Sequence, residues 1–326
     1  MHPDIPVGLA SAAVAGTLRP FRFTLQASNV QRPEDLVPLA RRAEDMGVDV
    51  LTVADHMDDQ LAPIAALMAA ADATTTLRVG TLVFANDYRH PAVLAREAAT
   101  IDRLSGGRLE FGLGAGWMAT DYAATGIALD APSIRIARLE EALEVITELW
   151  SGEPVDHHGP YYDIAGLVGT PLPAQRPHPP IVIGGGGRKV LEVAGRRADV
   201  VNLNPSLTAG VIDDRAGPSA TPEATERKIG WIRDAAGERF GSIELGTRIH
   251  LAIVTDDRQA TFDALAGGFG MTPEQAAGSP HALCGTVEEI VEDLLARRER
   301  FGISSIGLSA SSLDDMAPVI ARLAGT

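Results

Sequence analysis

Two adjacent residues at the end of a predicted strand, Asp55 and His56 in TVADHMDD, carry groups that can move a proton. A neutral histidine accepts or donates a proton near pH 7, and an adjacent carboxylate can hold its ring in one orientation. A histidine in this position can equally be a structural, hydrogen-bonded group. The sequence therefore makes His56 a candidate general acid or base, and the structural interpretation stays open.

The second candidate site is IVIGGGG, residues 181–187, in which three β-branched residues lead into four glycines before Arg188 and Lys189. Glycines let a backbone approach a ligand closely, and the following helix directs its positive end towards an anion. The dinucleotide-binding fingerprint does not match, because Lys189 stands where a small residue is required. The stretch is either a phosphate cradle or a tight strand-to-helix turn without a ligand.

Polar and aromatic residues follow several other predicted strands. Asn86 follows the third strand, and Trp117 follows GLGAG, where it either forms an aromatic wall for a flat ligand or fills the space beside the glycines. Asn202 and Asn204 alternate out of the sixth strand, which places both side chains on one face. His250, inside RIHLAIV, is interpreted as a hydrogen-bonded core group rather than a catalytic residue.

Composition excludes several classes of function. The formal net charge of -15 argues against general nucleic-acid binding, and no apolar run is long enough to span a membrane. The single cysteine, Cys284, is interpreted as a small buried thiol and fits a reducing compartment, so we expect a cytoplasmic protein. His157 and His158 lack the ligand spacing of a zinc site, so no metal is expected. Neither a G-x-S-x-G elbow nor a Walker A sequence is present.

Strand-like and helix-like segments alternate from residue 21 onwards. Such alternation has two main solutions, a closed (β/α)₈ barrel and a doubly wound open sheet, and the count of eight strands favours a single (β/α)₈ TIM barrel over residues 21–326. Residues 152–178, rich in Pro, Gly and aromatics, are predicted to form an insertion with a short hairpin. The predicted strands cover residues 21–27, 48–56, 77–85, 108–116, 179–187, 199–205, 243–257 and 303–309.

Residues 1–20 require a separate interpretation. The stretch VGLASAAVAG is mildly apolar and rich in small residues, as an export signal can be. The segment before it has no Lys or Arg and contains Asp4, which a signal peptide disfavours. We therefore expect a flexible N-terminal extension.

Several motifs together resemble one family. They are VADH, GTLVFANDYRHPAVLAREAATIDRLSGGRLEFGLGAGW, RLEEALEVITELWSGEPV, PPIVIGGGG and ADVVNLNP. In this order they are similar to the luciferase-like monooxygenase superfamily, and more closely to its actinobacterial branch that uses the deazaflavin coenzyme F420. The resemblance runs from about Phe21 to the C-terminus.

The resemblance implies an oxidoreductase that transfers a hydride between C5 of the deazaflavin and a small organic substrate. It implies His56 as the catalytic proton donor or acceptor, a homodimer, and a non-proline cis peptide at Leu82–Val83 or Val83–Phe84. The phosphate of the coenzyme would bind at the glycine stretch. The cofactor-binding residues implied are Asp55, Leu82, Val83, Phe84, Asn86, Trp117, Gly184, Gly185, Gly186, Gly187 and Arg188.

The chain departs from the branch that oxidises glucose 6-phosphate. That branch has a glutamate where Trp117 stands and a tryptophan where Gln60 stands. We therefore expect an apolar or aromatic substrate, reduced at a C=C or C=O bond, although alcohol oxidation stays open. Two further alternatives are an FMN-dependent luciferase-like monooxygenase and a flavin- or deazaflavin-binding protein without turnover.

Overall fold

The computed structural model describes residues 18–27, 30–207, 210 and 214–326. Residues 1–17 of the predicted N-terminal extension therefore lie outside the described part of the chain. Eight parallel strands pair side by side in a closed ring. The ring closes where the strand Arg78–Thr81 pairs with the strand Leu109–Gly114. The predicted closed (β/α)₈ barrel is confirmed.

Thirteen strands are present among the described residues, and eight of them build the barrel. The barrel order is β1, β2, β3, β5, β8, β9, β10 and β13, with the bounds below. The strands are β1 (Arg22–Gln26), β2 (Val50–Val53), β3 (Arg78–Thr81), β4 (Phe84–Ala85), β5 (Leu109–Gly114), β6 (Pro154–His158), β7 (Asp163–Val168), β8 (Ile181–Gly185), β9 (Val200–Leu203), β10 (Glu244–Arg248), β11 (Leu251–Val254), β12 (Ala282–Gly285) and β13 (Ile303–Ser309).

The helices surround the barrel, and proline at the first helical position starts several of them, as in α3 and α5. The helices are α1 (Pro33–Asp45), α2 (Pro63–Ala73), α3 (Pro91–Leu104), α4 (Ala119–Thr125), α5 (Pro132–Leu149), α6 (Arg188–Arg197), α7 (Pro222–Ala236), α8 (Arg258–Leu265), α9 (Pro273–Gly278), α10 (Val287–Phe301) and α11 (Leu313–Leu323). Short 3₁₀ helices cover Asn86–Tyr88, Asp214–Ser219, Gly237–Ser242, Ala266–Phe269 and Ala310–Ser312.

The predicted seventh strand, residues 243–257, is wrong as one continuous element. Ile249 still donates its backbone N–H to Gly307 of the barrel, at 2.8 Å, but the N–H of His250 donates to His281, also at 2.8 Å. The chain therefore changes partner at His250, and β11 leaves the barrel to pair in parallel with β12. Cys284 lies in β12, where it is a free, buried thiol as expected, and burial raises its pKa to about 11.

The insertion forms the expected hairpin. Strands β6 and β7 pair antiparallel and lie outside the barrel sheet. Two X-Pro bonds of the insertion, Thr170–Pro171 and Arg176–Pro177, are cis. The turn of the hairpin reaches the end of the barrel at which the strands finish, because the hydroxyl of Tyr162 accepts a hydrogen bond from Asn86 after β4, at 3.1 Å.

An ion network fills the lower interior of the barrel. Arg22 of β1 forms an ion pair with Glu110 of β5 and a second one, at 2.8 Å, with Glu244 of β10. Arg78 of β3 also pairs with Glu110, at 3.0 Å. Neither β5 nor β10 neighbours β1, so these contacts cross the interior. Several interior positions above the network are small or polar, although the register also places Val50 beside Thr24 and Val182 beside Gly112. The small or polar positions include Thr24, Thr52, Gly80, Gly112, Asn202, Gly246 and Gly307.

Replacing Arg22 by Met should destabilise the protein by about 3–5 kcal/mol, because two buried carboxylates lose a shared counter-charge. Burial raises the pKa of Glu244, so its carboxylate is the form that the folded state disfavours. The folded variant then binds a proton more tightly than the unfolded chain, and its stability falls as pH rises above the ordinary carboxyl pKa of about 4.3. Urea unfolding at pH 5 and pH 8 measures both effects.

The matched control is Arg42→Met, which removes the exposed pair with Asp314 and should cost less than about 1 kcal/mol. Equal losses in the two variants would contradict the assigned role of the interior network.

Candidate functional site

The candidate site lies on the rim of the barrel at the carboxyl ends of its strands. Because all eight strands are parallel, the residues that follow them gather at this one end. We call this ring the C-terminal rim. It includes Asp55, His56, Val83, Asn86, Trp117, the turn Gly184–Gly187, Asn204 and Arg248.

His56 is held on the rim by a buried carboxylate. Its Nδ1 lies 2.7 Å from Oδ2 of Asp121, whose residue is only 4% exposed. The backbone N–H of Met57 and the hydroxyl of Tyr88 also donate to Asp121, each at 3.3 Å. The ring of Trp117 meets the imidazole edge-on with centroids 5.6 Å apart. These contacts fix both the position and the rotation of the imidazole.

This arrangement also defines the tautomer of His56. A carboxylate only accepts hydrogen bonds, so Nδ1 carries the proton and Nε2 keeps its lone pair. Among the described residues none bonds to Nε2, and the side chain is 23% exposed. The histidine is therefore oriented by one nitrogen and has the other free for a proton of a ligand.

The sequence analysis did not identify Asp121. The available signal was an acidic residue in the first turn of a short helix, α4, that follows the fourth barrel strand and so belongs to the same rim. The adjacent carboxylate considered there, Asp55, does not orient His56. Successive residues of an extended segment point to opposite sides, and Asp55 instead pairs with Arg89 and accepts the N–H of Ala85 at 3.1 Å. Asp55 therefore stabilises the segment after β4.

Asn86 lies in that segment and is 1% exposed. Its Nδ2 donates to the hydroxyl of Tyr162 in the insertion, at 3.1 Å, whereas its Oδ1 is buried without a hydrogen-bond partner. Glu141 of α5 accepts the backbone N–H of Tyr162 at 2.8 Å, which ties the insertion to the rim. A buried acceptor without a partner costs free energy, so Asn86 Oδ1 fits a site whose donor comes from a ligand.

The segment between β3 and β4 contains the non-proline cis bond at Leu82–Val83, the first of the two expected positions. A Cβ on Gly114 would lie 2.5 Å from Cγ2 of Val83, and one on Gly184 would lie 3.9 Å from its Cγ1. The Val83 side chain therefore lies between the ends of β5 and β8. The Phe84 side chain is fully buried and packs 6.1 Å from Phe111 in the core.

The glycine turn, Gly184–Gly187, is only half explained by packing. A Cβ on Gly185 would lie 2.5 Å from Val190, and one on Gly186 would lie 2.3 Å from the carbonyl oxygen of Pro205. A Cβ on Gly187 would meet nothing within 4 Å, and Gly187 begins α6 without a side-chain cap. The unhindered turn and uncapped helix start match an anion cradle.

Arg188 does not extend this cradle. Its side chain is 68% exposed, and its Nε donates to Glu192 one helical turn further along, at 2.7 Å. The predicted Asn202 and Asn204 do lie together, since Nδ2 of Asn204 donates to Oδ1 of Asn202 at 3.3 Å. The sixth barrel strand therefore contributes two amides to the rim beside the glycine turn.

An apolar cavity of about 80 Å³ lies between the segments that follow β9 and β10. Leu207, Phe262 and Met271 contribute to its wall, and the lining in the described part of the chain contains neither Lys nor Arg. His250, expected in the core, instead lines this cavity with His281, the two ring centroids being 5.8 Å apart. Burial lowers the pKa of His281 to about 3, so its imidazole is neutral at pH 7, whereas His250 is exposed to solvent.

Arg248 ends β10, pairs in register with Gly307 of β13 and lies two residues after Gly246, so its side chain faces the barrel interior. Its Nη2 donates to Oγ of Ser309 at 3.1 Å, whereas its Nη1 is buried without a partner. Burial lowers the pKa of this guanidinium, and no carboxylate of the described residues pairs with it. The rim therefore contains a cation that a ligand oxygen could satisfy.

Within residues 18–27, 30–207, 210 and 214–326, no group of three or more His, Cys, Asp or Glu side chains could hold a metal ion. Over the same residues, no helix has the length and apolar character that crossing a bilayer requires.

Gly186→Ala should destabilise the fold by roughly 1–3 kcal/mol, because the new methyl group overlaps backbone carbonyls that cannot rotate away. Gly187→Ala should change stability by less than about 0.5 kcal/mol, since the weaker cap is offset by a less flexible unfolded chain. Thermal unfolding of both variants beside the parent tests this contrast. Equal melting temperatures for the two variants would refute it.

Comparison with known proteins gives relatives that use coenzyme F420. The chain is 31% identical over 271 residues to an F420-dependent glucose-6-phosphate dehydrogenase of Nakamurella multipartita, covering 79% of this chain and 76% of the relative. It is 35% identical to the enzyme of that name from Amycolatopsis mediterranei, over 60% of this chain and 62% of the relative, so this second match spans less than two thirds of the relative. Both agree with the expected cofactor and class of enzyme.

Among solved structures, an F420-dependent secondary alcohol dehydrogenase in complex with an F420–acetone adduct superimposes with a TM-score of 0.75. It is 22% identical and the match covers 93% of this chain and 98% of that one, which supports the barrel fold. The family model for luciferase-like monooxygenases matches residues 15–279. The chain therefore belongs to the luciferase-like monooxygenase family.

Proposed function

We propose that this chain is an F420-dependent oxidoreductase that transfers a hydride between C5 of the deazaflavin and a small, largely apolar organic substrate. One observation carries the proposal. His56 is oriented through Nδ1 by buried Asp121 and keeps Nε2 free, on the same rim as a glycine turn without a capping side chain. The F420-dependent relatives support the choice of cofactor.

The residues of the rim fit such a cofactor. Backbone N–H groups of the glycine turn and of the first turn of α6 would hold its phosphate, since no side chain caps them. Val83, Asn86 and Trp117 would contact the deazaflavin ring. Oδ1 of Asn86 is a free acceptor for an N–H group of that ring. When bound, coenzyme F420 supplies a hydride donor or acceptor at C5.

His56 is proposed as the group that moves the proton accompanying the hydride. In an oxidation, Nε2 accepts the hydroxyl proton of an alcohol; in a reduction, it donates a proton to the product. Asp121 stabilises the imidazolium, which is formed in an oxidation and gives up its proton in a reduction, and it keeps the ring from turning. Trp117 restricts the space beside the imidazole, which limits the approach of bulk water.

The substrate is proposed to have an apolar body and an oxygen acceptor near its reacting bond. The described lining of the apolar cavity contains neither Lys nor Arg, and its buried His281 is neutral at pH 7, so the cavity does not suit the phosphate of a sugar phosphate. Its wall reaches the rim, because Nδ1 of His281 lies 3.0 Å from the carbonyl oxygen of Arg248. The guanidinium of Arg248 would bind the oxygen of a carbonyl or conjugated carbonyl substrate.

Two alternatives stay attached to this proposal. The family model is named for monooxygenases, so the second candidate is an FMN-dependent monooxygenase. A binding protein without turnover is the third. From the family resemblance we also propose a homodimer that acts on small molecules. Sedimentation velocity of the purified chain would refute the homodimer by showing a monomer. The single cysteine, which fits a reducing compartment, is the reason for proposing a cytoplasmic location.

Fluorescence titration of the purified protein should show micromolar affinity for coenzyme F420 and at least about tenfold weaker affinity for FMN, a difference of about 1.4 kcal/mol. Reduced coenzyme F420 is then mixed with a panel of apolar ketones, aldehydes and enones, with glucose 6-phosphate as the matched negative substrate. Preference for FMN would move the assignment to the monooxygenase. Retention of F420 without turnover of any substrate would favour the binding protein.

Asp121→Asn should lower the turnover of a substrate found in that panel by roughly 10²- to 10⁴-fold, because the amide no longer stabilises the imidazolium. The turnover of the His56→Ala variant should fall at least as far. The double variant should lose no more turnover than His56→Ala, since both residues act through one proton transfer. Steady-state kinetics across pH 5–9 gives the comparison.

The control is Asp163→Asn, which alters the exposed carboxylate bound to His158 on the insertion. It should leave turnover unchanged. Full activity of His56→Ala would remove His56 from the mechanism.

A further inference from the structure

A lysine behind the glycine turn has no role in the chemistry above. Lys228 of α7 is only 2% exposed, and its Nζ donates to the backbone carbonyl oxygens of Asn204 and Ser219, each at 2.6 Å. No carboxylate among the described residues lies within ion-pair distance of it. Burial lowers the pKa of Lys228 to about 8, and the nearby charge of Arg227 acts in the same direction.

One of the two carbonyls that Lys228 binds, that of Asn204, belongs to the segment lying against the glycine turn. The N–H of Asn204 donates to the carbonyl oxygen of Gly185 at 2.9 Å. A Cβ on Gly186 would lie 2.6 Å from the carbonyl oxygen of Asn204. Ser219 closes the same loop from the other side, because its Oγ accepts the N–H of Ser206 at 2.6 Å. Lys228 therefore joins the two ends of the loop that backs the glycine turn.

Charge gives a second, independent argument. A bound phosphate group brings at least one negative charge to the turn. Arg188, the cation next to the turn in sequence, is exposed and paired with Glu192. A buried ammonium without a carboxylate partner is costly in the unliganded protein, and an anion nearby offsets that cost. Lys228 is a buried cation that is linked to the turn through its contact with Asn204.

We propose that Lys228 is a positioning residue of the cofactor phosphate site: it holds residues 204–206 against the glycine turn and supplies the positive potential that Arg188 does not. This inference rests on the proposed function, since it takes the glycine turn as the phosphate site. Lys228 does not touch the reacting atoms, so its loss should act on the affinity for the cofactor.

The test compares two ligands, coenzyme F420 and its deazaflavin riboside, which has the same ring but neither the phosphate nor the acidic tail. Lys228→Met should weaken F420 binding by roughly 10-fold or more and change riboside binding by less than about threefold. If that variant does not fold, Lys228→Gln, which keeps a donor for the carbonyls, takes its place with the same expected ratio. Fluorescence titrations at two salt concentrations give the affinities.

Lys189→Met is the matched control, because Lys189 is an exposed lysine beside the same turn. It should weaken F420 binding slightly, and the effect should vanish at high salt. Equal losses for both ligands in the Lys228 variant would show a merely structural lysine and overturn the inference. So would a loss confined to the Lys189 variant. Failure of the parent protein itself to bind F420 would overturn the proposed function and this inference together.

Discussion

The constraint on which the site depends is the closure of eight parallel strands between β3 and β5. Closure places residues far apart in sequence on one rim, and it sets His56 after β2 opposite a carboxylate that follows β5. The pairing of His56 with Asp121 spans 65 residues and exists because of this geometry. The ion network of Arg22, Glu110 and Glu244 crosses the interior below and fixes the strands that carry the rim.

Close approach of backbones is the second feature of this barrel. Glycines stand where a side chain would collide, as at Gly112, whose Cβ would lie 1.9 Å from the carbonyl oxygen of Thr81. At Gly114 the same freedom accommodates Val83, and at Gly186 it accommodates the loop after β9. Inside the barrel, glycine therefore lets neighbouring strands pack closely. At the C-terminal rim, it leaves room for a side chain and for a loop.

Local sequence predicted much of the fold and the positions of the rim, because a strand end, a glycine turn and a helix start are encoded within a few residues. His56, Asn86 and the glycine turn were found in this way. Asp121 was missed, because its partner is fixed by tertiary closure rather than by spacing. The seventh strand was predicted too long, because a hydrogen bond from His250 to His281 decides where it leaves the barrel. The ion pair that occupies Arg188 could have been predicted from the sequence, since Glu192 stands four residues later on the same helix.

Buried cations are paired differently at the two ends of the barrel. The chain has 43 acidic and 28 basic residues, so carboxylates are abundant. Below, Arg22 and Arg78 are matched by Glu110 and Glu244. Above, Arg248 and Lys228 are bound only by a hydroxyl and by backbone carbonyls among the described residues. Because Arg248 and Lys228 have no carboxylate partner among the described residues, the rim fits the anionic, oxygen-bearing ligand that we propose for it.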